Sequence, residues 1–264
     1  MKSATLKRTN PQTSTAPCRS SLACIVAIAV AAFCAQTVAY ADIFDDFTYG
    51  NDTASPTWTH SDVGLGGVQT YDASGQNYHL SATVGGYGFS YLGSFVDPAS
   101  DFMISCDVLS WGAGGQKFGI YARATGINTF LGVSGYHFSY EPDNGQVLIR
   151  RMTSANQAGS NRASTTYFLD NSKQYHFVFW GSGSYLEGDI YEIGGGGTPV
   201  VRLTATDTVY TTGLSGVLGF GLGANTDFTI DNFLMVIPEP ATSSLLLLGF
   251  LAGWPVLRRR AGSK

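Results

Sequence analysis

Across residues 42–237 the apolar side chains recur at every second position in short runs, broken by glycine, proline, asparagine and aspartate. A period of two puts alternate side chains on opposite faces of an extended strand. Within residues 174–180, Tyr175, Phe177 and Phe179 alternate with His176, Val178 and Trp180. Within 117–123, Phe118, Ile120 and Ala122 share one side. Similar runs cover 102–109, 129–140, 145–152, 184–193, 199–204, 217–222 and 226–235. Glu141-Pro142-Asp143-Asn144-Gly145 is the clearest hairpin signal, because Asn-Gly adopts positive φ at little cost. No stretch of this region has the 3.6-residue period of an amphipathic helix. The pattern predicts an all-β fold, with many short antiparallel strands packed as a sandwich. Alternation beside Val178 assigns Trp180 to the inward face.

Charge narrows the partners. Residues 42–237 carry seven basic side chains against eighteen acidic ones, a net charge of −11. Such a domain repels phosphate backbones, so no nucleic acid is expected as a partner. Cys106 is the only cysteine of this region, which rules out a disulfide within it. Its apolar neighbours Met103, Ile104 and Val108 place it on a strand as a small buried hydrophobe.

The two ends read as processing signals. Residues 1–41 have a basic start (Lys2, Lys7, Arg8, Arg19), an apolar run over 22–35, and Ala39-Tyr40-Ala41 before Asp42. Those are the parts of a signal peptide cut by signal peptidase at Ala39 and Ala41, which would remove Cys18, Cys24 and Cys34. The alternative is a retained anchor, for which the run is short. The far end has Pro238-Glu239-Pro240, then an apolar segment over 241–257, then Arg258-Arg259-Arg260. The segment is long enough to cross a bilayer with its flanks, and the arginines hold the C-terminus in the cytoplasm.

These three parts, in this order over about the last 28 residues, resemble the PEP-CTERM sorting signal. The resemblance implies a membrane-embedded exosortase as partner and cleavage near Pro238-Glu239-Pro240. It also implies a transient inner-membrane anchor, then delivery to the cell surface or exopolysaccharide matrix of a Gram-negative-type bacterium. The alternative is a plain C-terminal anchor. The chain thus divides into a signal peptide (1–41), a β domain (42–237) and a sorting tail (238–264).

The β domain resembles the concanavalin A-like and laminin G-like jelly rolls. Ile43-Phe44-Asp45-Asp46-Phe47 and Phe228-Thr229-Ile230-Asp231-Asn232-Phe233 look like their end strands. The series from Gly135 through Arg150 and from Pro199 to Val217 also fits. The resemblance implies two curved sheets and a polysaccharide ligand, with calcium in some members and glycoside hydrolysis in others. Glu187-Gly188-Asp189-Ile190-Tyr191-Glu192 is similar to the acid cluster of laminarinase-like glycosidases, with Gly188 in place of a bulky apolar residue. On that reading Glu187, Asp189 and Glu192 supply nucleophile and general acid, a bulge bringing Glu192 round. The same residues read equally well as solvated acids on an edge strand.

Other chemistry is sparse. His60, His79, His137 and His176 lack a paired zinc spacing. Calcium has hard oxygen ligands on offer at Asp45-Asp46, Asp143-Asn144 and Asp227 with Asp231, though none forms a fixed calcium motif. Trp111, beside glycines at a strand end, is the aromatic best placed to stack on a sugar ring. The leading reading is a non-enzymatic surface or matrix protein that binds carbohydrate. The alternative is a secreted glycoside hydrolase.

Overall fold

The computed structural model describes residues 40–54, 56–63, 69–83, 87–92, 101–112, 115–129, 132–153, 159–221 and 225–238. They belong to a unit running from Ala39 to Pro240. The ends, 1–38 and 241–264, lie outside the described residues, and so do Ala39, Glu239, Pro240, Arg258, Arg259 and Arg260.

Fifteen strands make up the described unit, with no helix among the described residues. In chain order they are β1 (Tyr40–Asp45), β2 (Trp58–Asp62), β3 (Gln69–Asp72), β4 (Tyr78–Ala82) and β5 (Tyr87–Leu92). Next come β6 (Phe102–Trp111), β7 (Gln116–Thr125), β8 (Ser134–Glu141), β9 (Gln146–Met152) and β10 (Gly159–Thr166). The last five are β11 (Tyr175–Ser182), β12 (Tyr185–Glu192), β13 (Pro199–Thr206), β14 (Leu214–Gly221) and β15 (Thr226–Pro238). One sheet has the order β13-β12-β11-β6-β15-β4-β3, with β1 on the far half of β15. The other runs β10-β9-β8-β7-β14-β5-β2. Every pairing is antiparallel. The two sheets form the predicted sandwich.

Alternation explains which face each strand buries. Phe118, Ile120 and Ala122 of β7 and Tyr136, Phe138 and Tyr140 of β8 enter the core from one sheet. Ile104, Cys106 and Val108 of β6 and Tyr175, Phe177 and Phe179 of β11 enter from the other. Phe138 lies 5.8 Å from Phe177 and 6.1 Å from Phe179 between ring centroids, so the sheets are joined by aromatic contacts. Full burial of each such ring is worth roughly 1.5–3 kcal/mol. The Cys106 thiol is buried, and burial raises its pKa.

The expected hairpin joins β8 to β9, with Gly145 at φ 63°. The two segments that resemble jelly-roll end strands meet, β1 pairing with β15 from Tyr40↔Pro238 to Asp45↔Phe233. Trp180 corrects the reading made from alternation. Together with His176 and Val178 it lies on the outer, half-buried face of β11, 5.1 Å from the Tyr185 ring. Three large rings, Tyr175, Phe177 and Phe179, take the inner face instead, because they bury more apolar area than His176, Val178 and Trp180.

Candidate functional site

Trp111 ends β6 and lines a cleft of about 320 Å³ with Gly112, Tyr140, Pro142, Asp143, Phe168, Leu169, Asp170 and Asn171. Two connections build it: the β8–β9 hairpin and the segment between β10 and β11. The indole is half-buried and fixed from behind. The rings of Phe118, Tyr140 and Tyr175 stand 5.8, 5.9 and 6.0 Å from it. No protein group accepts a hydrogen bond from its Nε1–H among the described residues, so the ring edge keeps a free donor.

The 167–171 segment is held by the same tyrosines. The Leu169 N–H donates to the Tyr140 hydroxyl at 3.1 Å, and the Asp170 N–H donates to the Tyr175 hydroxyl at 2.9 Å. Burial raises the pKa of both phenols, so they stay protonated as neutral anchors. The Tyr167 N–H donates to the Gly145 carbonyl at 2.7 Å. A Cβ on Gly145 would meet the Phe168 ring at 2.9 Å, so glycine serves both the turn and the seat of Phe168. Phe168 is nonetheless 65% exposed. An exposed phenyl ring in the same cleft as a pinned indole is an uncommon surface for water alone.

Carboxylates close the cleft. Asp170 Oδ1 accepts from the Ser172 N–H and hydroxyl at 3.0 and 2.7 Å, contacts that hold its pKa below the usual carboxylate value. Asp143 makes no hydrogen bond or ion pair among the described residues, and neither does the side chain of Asn171. The cleft therefore offers one aromatic wall, one exposed aromatic edge and uncommitted polar groups around them. Such a surface can stack on a ring while bonding its hydroxyls.

The acids of β12 are placed differently. Leu186, Gly188 and Ile190 face the core, so Glu187 and Asp189 share the outer face. Arg202 of β13 stands opposite Asp189 and grips it with two 2.8 Å bonds, while its Nε lies 3.3 Å from Glu187. Tyr185 donates to Glu187, and Tyr191 donates to Asp189 at 3.0 Å. A register shift falls between Ile190 and Tyr191 against β13, but pairing with β11 stays regular through Tyr175↔Glu192. Glu192 consequently takes the side opposite to Glu187 and Asp189 and binds Lys173 at 2.9 Å. The structure brings two of the three carboxylates together and leaves the third apart.

Three of the histidines elsewhere pair with aspartates. His60 pairs with Asp52 at 3.0 Å, His79 with Asp227 at 2.8 Å and His176 with Asp107 at 2.6 Å. His137 is buried on β8, and burial holds its pKa well below the ordinary imidazole value, with Arg150 and Lys117 adding to the effect. Of the calcium candidates, Asp45-Asp46 is already engaged by the protein. Asp45 spends one oxygen on the Phe47 N–H and the other on Trp58 Nε1–H, and Asp46 binds Thr48. Among the described residues, no three His, Cys, Asp or Glu side chains converge.

Of the processing residues, Ala41 pairs with Ile237 and Pro238 with Tyr40, at one end of the β1–β15 ladder. Sequence reasoning singled out Trp111 but missed Phe168, Asp170, Asn171 and the tyrosines beneath them. The one available signal was the apolar run Tyr167-Phe168-Leu169 after the polar strand β10.

No protein-family model matches this chain, and no curated protein is similar to it in sequence. Its likeness is to solved structures. A prokaryotic β-1,3-1,4-glucanase (lichenase) from a mouse hindgut metagenome superposes with a TM-score of 0.51 at 16% identity, covering 75% of this chain and 99% of that one. Basic winged bean lectin, solved with Tn-antigen, gives 0.51 at 11%, covering 75% and 98%. The calcium-bound exoplasmic/lumenal domain of VIP36 gives 0.52 at 11%, covering 75% and 90%. At such identities the likeness shows the architecture alone: the chain has the galectin and concanavalin A-like jelly-roll fold.

Proposed function

We propose that this is an exported, non-enzymatic carbohydrate-binding protein of the bacterial surface or matrix, whose jelly roll holds polysaccharide in the Trp111 cleft. The observation that carries the proposal is the pinned, half-buried indole sharing one cleft with the exposed Phe168 and the uncommitted Asp143 and Asn171. Lectins and a glucanase among the structural neighbours supply a consistent context, since their names are those of proteins that handle sugars. Binding is preferred to hydrolysis because Glu187 and Asp189 are both engaged by Arg202, and Glu192 points elsewhere. Two-carboxylate hydrolysis needs a pair that flanks a substrate bond.

On the same proposal, signal peptidase removes residues 1–41. An exosortase then reads Pro238-Glu239-Pro240 while 241–257 spans the inner membrane and Arg258-Arg259-Arg260 remain inside. Support comes from the order and spacing of these parts in the sequence. Two experiments test the two halves. Trp111→Ala should weaken retention on immobilised polysaccharide roughly tenfold or more. Retention equal to that of the unaltered chain would remove the cleft from the account. Replacing Pro238, Glu239 and Pro240 together, in a host with an exosortase, should raise the mature mass and the cell-bound fraction. No change in either would leave a plain anchor.

A further inference from the structure

We infer that the Trp111 cleft selects uncharged glycans and turns away uronate-bearing or sulfated ones. The inference rests on the reading of this cleft as a sugar site and specifies the class of sugar. Among the described residues its ionisable lining is Asp143 and Asp170 together with the phenol of Tyr140, with no lysine, arginine or histidine. The cation that acts on it most directly is Lys173, whose charge helps hold down the Asp170 pKa. That ammonium is committed, lying 2.9 Å from both oxygens of Glu192.

Several of the backbone donors around the cleft are committed as well. The N–H groups of Leu169, Asp170 and Tyr167 go to Tyr140, Tyr175 and Gly145, and the Gly112 N–H goes to the Asp227 carbonyl. Ionised carboxylates are acceptors only. The free donors of the cleft, the Trp111 Nε1–H and the Asn171 amide, are neutral, and a hydroxyl group can accept from them while donating to the carboxylates. A carboxylate or sulfate brings further acceptors and a like charge, which is unfavourable in a partly desolvated cleft. The whole domain, at −11, adds repulsion of the same sign at long range.

The test uses the full chain and an immobilised panel: a β-1,3-1,4-glucan, a mannan, polygalacturonate and alginate, each acidic polymer also in carboxyl-reduced form. Retention is compared for the unaltered chain, Trp111→Ala and Phe168→Ala; the second variant alters an exposed ring and leaves the core intact. The expected result is binding confined to uncharged polymers, sensitive to both substitutions, with each reduced polymer held roughly tenfold or more tightly than its acidic parent. Asp143→Asn with Asp170→Asn should narrow that gap. Tight, Trp111-dependent binding of polygalacturonate or alginate in unreduced form would overturn the inference and keep the sugar site. Absence of any Trp111- or Phe168-dependent binding across the panel would overturn the sugar site itself, and the inference with it.

Discussion

Two clusters of acid and aromatic side chains sit on this jelly roll, and they differ in what their carboxylates are already doing. On β12, Glu187 and Asp189 are buried under Tyr185, Tyr191 and the shared Arg202. In the Trp111 cleft, Asp143 and the indole N–H have no hydrogen-bond partner among the described residues. The β12 cluster has the better motif and the fewer open valences. Its polar groups are satisfied by one another, which is how buried charge is made tolerable in a folded protein. The cleft has no motif, but its polar groups await something. A carboxylate marks a ligand site by its availability more than by its spacing in the chain.

Substitutions can break or sharpen that contrast. The largest effect is expected at Gly188. A Cβ there would meet the Phe138 ring at 2.4 Å, so Gly188→Val, which restores a bulky apolar residue to the acid motif, should destabilise by about 1–3 kcal/mol through overpacking. Chemical denaturation checks this, and an unchanged midpoint would mean that the two sheets can part at little cost. Asp189→Ala comes next. It removes a side chain that is 5% exposed and takes two bonds from Arg202, so a loss of about 1–2 kcal/mol is expected, discounted because Arg202 itself is half exposed. Polysaccharide binding should be untouched. A loss of binding without a loss of stability would move the ligand site to β12.

Acid should expose a third, fully committed carboxylate. Burial alone would raise the pKa of Asp207. The Val209 N–H, the Tyr136 hydroxyl, Arg151 and Arg162 outweigh this, and the net shift is downward from 3.8. The folded state then binds fewer protons at this group than the unfolded chain does. Its contribution is therefore full above about pH 4 and is lost as pH falls further. Thermal midpoints between pH 5 and 3 should decline for the unaltered chain and decline less for Asp207→Asn. Parallel slopes would show that other groups carry the acid limb. The smallest effect is expected at Asp143→Ala, within about 0.5 kcal/mol in stability, because nothing in the fold leans on it. A loss comparable to that of Asp189→Ala would erase the contrast between the clusters.

Much of the fold was legible because alternation is a local property. Phe118-Ile120-Ala122 and Tyr175-Phe177-Phe179 each announce one buried face, and Asn144-Gly145 announces its turn. The same rule misplaced Trp180. Period two separates the faces of a strand without saying which is inward when both are apolar. Little of the candidate site was legible. Trp111 could be named from its glycine neighbours, but Phe168, Asp170 and Asn171 lie 57 or more positions further along the chain. Only the docking of 167–171 onto Tyr140 and Tyr175 places them beside it.

By itself the sequence determined the all-β class, the buried lone cysteine and the acidic character of the domain. Each of these follows from composition or from nearest-neighbour periodicity. The tertiary structure decided which carboxylates are spent. Arg202 lies 13 positions after Asp189 and 15 after Glu187, yet it neutralises both because β12 and β13 are adjacent in register. Asp143 stays uncommitted while Lys117, the cation beside its hairpin on β7, is spent on Glu141. Charge pairing acts through space over a few ångströms, and those distances are set by the register of strands.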